Sequence, residues 1–147
     1  MNSYPLAARA PLVIDQVIEI RDGASLIRVE PAPYLTIAVE VDFPLLGAFN
    51  FVSDVANWEQ AAFARTFGFL EQHEALKRRG LARGATLDNT LVFDNAGIPL
   101  NQNGLRYPDE IARHKWIDCL GDLALLGQQL CAKVTAVRAG HRLHHAL

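Results

Sequence analysis

Arg113-His114-Lys115-Trp116-Ile117-Asp118-Cys119-Leu120-Gly121-Asp122 is the stretch around which this sequence is organised. Its periodicity predicts the longest helix of the chain. Pro108 suits the first helical position, and Asp109 and Glu110 sit in the electropositive first turn. The apolar pattern carries the helix to about Cys131, with Ile117, Leu120, Leu123, Ala124 and Leu130 as its core stripe. His114, Asp118 and Asp122 follow one another at one-turn intervals, within an arc of about 80° on one face. Gly121 shares that face and has no side chain to block a ligand. An imidazole and a carboxylate at i, i+4 can hold one Zn²⁺, and a second carboxylate can orient the shell. The same spacing also suits a solvated polar face.

Working outward, the segments that flank this helix read as strands. Leu12 to Ile20 is rich in Val and Ile. Arg21-Asp22-Gly23-Ala24 carries the Asp-Gly hairpin signal, and Ser25 to Glu30 is the return strand. After Pro31-Ala32-Pro33, the run Tyr34 to Phe43 alternates strictly, with Leu35, Ile37, Val39 and Val41 on one face. An antiparallel sheet with one covered face follows. Pro44 to Phe51 reads as a connection ending in a short extended piece. Ser53 or Asp54 caps a helix through Ala64, and Arg65-Thr66-Phe67-Gly68-Phe69 reads as a packed turn between helices. Leu70 to Arg79 is a second helix stopped by Gly80. Leu91 to Phe93 and Lys133 to Val137 are short strands, Ala139-Gly140-His141 is a turn, and Arg142 to Leu147 starts a last helix. The expected fold is α/β, a two-layer α+β sandwich with a mixed or antiparallel sheet packed against helices. It is one domain over 1–147, with 1–11 as a loose lead-in.

Composition narrows the function classes. The net charge is −2 and no long basic run is present, which disfavours nucleic acid. The two cysteines, Cys119 and Cys131, lie in apolar helical sequence, so reduced buried thiols are expected rather than a disulfide scaffold. No apolar run approaches 18 residues, so no transmembrane segment is expected. The first ten residues lack a signal-peptide core, and a cytoplasmic location is expected. The only serines are Ser3, Ser25 and Ser53, none in a nucleophile elbow. No phosphate-binding glycine loop occurs. His73-Glu74 reads as a solvated face. His141, in a turn, gains chemical sense beside Asp122: a carboxylate raises an imidazole's pKa and fixes its orientation.

Five stretches occur in order: Arg65-Thr66-Phe67-Gly68-Phe69, Leu87-Asp88-Asn89-Thr90, Asn103-Gly104-Leu105-Arg106, His114-Lys115-x-x-Asp118-x-x-Gly121-Asp122-Leu123 and Ala139-Gly140-His141. Together they resemble the C-terminal half of the bacterial zinc amidase family UDP-3-O-acyl-N-acetylglucosamine deacetylase, which commits material to lipid A synthesis. The resemblance runs from about Leu12 to Leu147.

The resemblance implies two similar α/β domains around one zinc, of which this sequence matches one. His114 and Asp118 would be zinc ligands. Asp122 would hold His141, and His141 would be the acid or electrostatic group. Thr66 would polarise the acetyl carbonyl, Phe67 would pack on the substrate, and Lys115 would contact the nucleotide part. Residues 70–92 match the insert that encloses the acyl chain, here carrying His73 and Arg83. The implied small-molecule partner is a UDP-linked acylated amino sugar. In the family a further domain brings a third histidine ligand beside a glutamate base. No histidine precedes His73 here. The expectation is therefore a half-site, incomplete alone, completed by a partner domain or a homodimer. The alternative is a non-catalytic paralogue acting as a metal- or sugar-nucleotide-binding module.

Overall fold

The computed structural model describes residues 9–147. Positions 1–8 of the lead-in lie outside the described residues. In chain order the elements are β1 (Leu12–Val13), β2 (Ile18–Asp22), β3 (Ser25–Pro31), β4 (Thr36–Phe43), β5 (Gly47–Asp54), a 3₁₀ turn (Val55–Gln60), β6 (Thr66–Phe69), α1 (Leu70–Arg78), β7 (Thr90–Phe93), α2 (Glu110–Ala124), β8 (Leu130–Val137) and α3 (His141–His144). The main sheet runs β2-β3-β8-β4-β5, with β1 added parallel to the start of β8. β8 is central, antiparallel to β3 and parallel to β4. β6 and β7 form a separate parallel pair. The sheet is therefore mixed, and α2 lies on the long crossover from β4 to β8, as a parallel neighbour requires.

Burial explains the layering. Ile27 and Val29 of β3, Ile37, Val39 and Val41 of β4, and Val134 and Ala136 of β8 point to one face. Ile111, Ala112, Trp116, Cys119 and Leu123 of α2 cover it. Trp116 is fully buried, stacks edge-on against Phe51, and donates its indole N–H to the Ile37 carbonyl at 3.1 Å. That bond satisfies the one polar atom the ring brings inside. It also fixes the rotation of α2, so that His114, Asp118 and Asp122 lie beside the buried stripe rather than in it. The expected stripe is thus displaced. Ile117 and Leu120 are only half-buried, and Ala124 is exposed.

Several boundaries differ from expectation. The 12–20 strand is two strands, β1 on β8 and β2 on β3. The 44–51 connection is mostly β5, paired with β4 along its whole length. Its Phe49, Phe51 and Ser53 alternate inward against exposed Ala48, Asn50 and Val52. Asp54 therefore ends a strand, and only the short 3₁₀ turn follows it. The 65–69 turn is β6, held by residues more than twenty positions away in β7. The long helix stops at Ala124, not near Cys131. Its last carbonyls are taken by Leu125, Leu126 and Gly127 N–H groups, and Gly127 adopts φ +65°, which ends helices readily because glycine carries no Cβ penalty there. Leu130 and Cys131 are the buried start of β8 instead.

Candidate metal and substrate site

The site is assembled on the outer face of α2, beginning with how the helix start is pinned. Glu110 is completely buried, and Arg65 nearly so. Arg65 forks onto both carboxylate oxygens, Nε to Oε1 at 2.8 Å and Nη2 to Oε2 at 3.0 Å. The Arg65 backbone N–H donates to Oε1 at 3.0 Å, and that of Arg106 to Oε2 at 2.6 Å. Such a fully satisfied bidentate pair is geometrically specific. It fastens the residue before Thr66 to the helix turn before His114. Arg113 ties the same segment down through the Gln60 carbonyl. Nothing in the sequence pattern singled out this pair, because a lone arginine and a first-turn glutamate look like surface residues.

One turn further, His114 places Nδ1 3.4 Å from the Ala64 carbonyl and Nε2 3.4 Å from Asp118 Oδ1. Burial pushes the His114 imidazole below its ordinary pKa, although the Asp118 charge acts the other way. A neutral ring donating from Nδ1 to Ala64 leaves the Nε2 lone pair toward Asp118. Two ligands at 2.0–2.1 Å from one tetrahedral ion lie about 3.3 Å apart. The His114–Asp118 pair thus fits a shared Zn²⁺ in distance and donor type. Lys115 Nζ occupies the other Asp118 oxygen at 2.7 Å, and lies 5.8 Å above the Phe67 ring. Phe67 also packs edge-on against His114 and Phe43, 6.3 and 5.3 Å between ring centroids. Thr66 is exposed at the start of β6.

On the next turn, Asp122 collects three imidazoles. His141 Nδ1 and His144 Nδ1 meet its Oδ2 at 2.7 and 2.8 Å, and His145 Nε2 meets Oδ1 at 3.0 Å. Burial alone would raise the Asp122 pKa, but the hydrogen bonds from His144, His141 and His145 outweigh it and hold the carboxyl at about 2. The expected Asp122–His141 pairing is present. The spacing of His141, His144 and His145 at i, i+3 and i+4 was the available sign that all three share one helical face. His73 lies apart on α1, lining a cavity of about 200 Å³ with Phe67, Phe69, Gln72 and Leu76. Burial raises Cys119 to about 12, so it is an inert core thiol.

Residues 5–147 match the family model for UDP-3-O-acyl N-acetylglycosamine deacetylase. The chain belongs to this family. It is 47% identical to a UDP-3-O-acyl-N-acetylglucosamine deacetylase of Anaeromyxobacter sp. (strain Fw109-5) over 146 residues, 96% of this chain and 48% of that protein. It is 40% identical over 96% of its length to that of Myxococcus xanthus, covering 46% of it. The Campylobacter jejuni subsp. jejuni relative shares 40% over the same share of the chain and 49% of its own. The chain thus spans about half the length of the curated relatives it matches. Among the described residues, no helix is long and apolar enough to cross a membrane.

Proposed function

We propose that this deacetylase-family chain supplies one half of a zinc amidohydrolase site for a UDP-linked acylated amino sugar in lipid A synthesis, in the cytoplasm. The observation that carries the proposal is the His114–Asp118 pair, with Nε2 and Oδ1 3.4 Å apart and the far ring nitrogen turned to the Ala64 carbonyl. His114 Nε2 and Asp118 Oδ1 would hold the zinc. Bound there, the ion would supply Lewis acidity toward the acetyl carbonyl and lower the pKa of a water.

The chain's own residues supply the rest. Asp122 holds the His141 ring by Nδ1, so that Nε2 is left to carry a proton to the departing amine. Thr66, at the exposed end of β6, donates its hydroxyl to the acetyl oxygen. Phe67, wedged between Phe43 and His114, offers a ring to the substrate. Lys115 reaches the nucleotide phosphates once its hold on Asp118 is relaxed. The acyl chain lies along 70–92. A structural zinc site takes four protein ligands and a catalytic one three; this pair supplies two. A partner domain or a second copy would bring the third ligand and the base.

With two donors on α2, the pair also suits a second reading, a non-catalytic metal- or sugar-nucleotide-binding module. Deacetylation assays separate the two. The purified chain alone is expected to release no acetate from the sugar nucleotide, and to do so when mixed with the N-terminal half of a full-length relative. Binding of the sugar nucleotide without turnover in the mixture would favour the module.

A further inference from the structure

We propose that His144 is a positioning residue, whose buried Nδ1–H fixes the Asp122 carboxylate and thereby holds His141 in its Nδ1–H tautomer. Three observations carry it. First, His141 and His144 share a single acceptor, Asp122 Oδ2, at 2.7 and 2.8 Å. Second, their exposures are opposite. The His141 side chain is 61% exposed and that of His144 only 1%. Water competes for the His141 contact but does not reach the one beneath it. Third, His144 Nε2 is buried without a hydrogen-bond partner among the described residues. A proton placed there would be an unpaired buried donor, so the proton stays on Nδ1. Burial also favours the neutral ring.

These facts give the two imidazoles different tasks. The His144 side chain is almost wholly shielded from solvent, and the only described hydrogen bond of its imidazole is to Asp122. With Oδ2 anchored from below and Oδ1 met by His145 at 3.0 Å, both carboxylate oxygens are held. The carboxylate offers His141 one direction in which to bind. An exposed histidine left to itself favours the Nε2–H tautomer. Paired to a fixed carboxylate, it is pinned with Nε2 bare. His144 therefore acts through Asp122, as an outer partner orients an active imidazole.

The inference rests on the role proposed above for His141, but its test needs neither metal nor substrate, so the two fail separately. Ring ¹⁵N shifts of the ¹⁵N-histidine-labelled chain are read at alkaline pH, where the imidazoles are neutral, with His141→Ala and His145→Ala for assignment. In the wild type, His141 and His144 are both expected as Nδ1–H. In His144→Leu, His141 is expected to revert to a majority of Nε2–H. His144→Asn places an amide N–H near the lost Nδ1 and is expected to restore the wild-type tautomer. An unchanged His141 tautomer in folded His144→Leu overturns the proposal. So does a wild-type His144 carrying its proton on Nε2, which is read without any variant.

Discussion

Glu110 and Asp122 are both carboxylates of α2 with several donors, yet they differ in what their loss exposes. Removing Glu110 strands the buried Arg65 guanidinium and the Arg65 and Arg106 backbone N–H groups. Glu110→Ala is expected to cost about 3–5 kcal/mol, the range for breaking a buried pair from one side, measured by urea unfolding. Asp122 has the opposite consequence, a pH dependence. Its folded pKa, about 2, lies below the ordinary 3.8. Its contribution is therefore fully present above the ordinary value and lost as pH falls through about 2. Acid unfolding curves of the wild type and Asp122→Asn are expected to differ above pH 3.8 and to converge toward pH 2. Parallel curves across that window would show that Asp122 is not perturbed.

At the level of elements, α2 carries a glycine where a better helix former would fit. A Cβ at Gly121 would meet nothing within 4 Å. Gly121→Ala is expected to raise stability by about 0.5–1 kcal/mol, while weakening whatever packs on that face, read as lost activity in the complemented mixture. Gly97 behaves oppositely. At φ +79°, its Cβ would lie 2.6 Å from the Leu45 carbonyl oxygen, so Gly97→Ala is expected to destabilise the turn after β7 in a thermal melt. Much of this architecture was legible. The alternation in β4 and the Asp-Gly hairpin marked the sheet, and the His114–Asp118–Asp122 spacing marked one helix that carries all three. Misreadings arose where local pattern is blind. Leu125 to Cys131 is apolar enough to prolong a helix, and only Gly127 marks the break. β6 is a strand because of a partner distant in sequence, which no local propensity records.

At the level of the whole molecule, the surface around the site is poorly covered. Leu125, which lines a cavity with Asp122 and His144, is 75% exposed, and Phe63, next to Ala64, 68%. His141 stands largely in solvent, held by Asp122. These features suit the proposal above, in which α2 supplies two donors and other residues complete the site. Thr66, His114, Asp118, Asp122 and His141 belong to this sequence, whereas the remaining ligand and base would come from other residues.

Zinc titrated calorimetrically into the purified, metal-stripped chain tests whether α2 is a metal face. One equivalent is expected to bind to the wild type and to His73→Ala, with affinity at least tenfold weaker in His114→Ala and in Asp118→Ala, a loss of about 1.4 kcal/mol or more. No binding by the wild type, or equal binding by His114→Ala, would contradict the site.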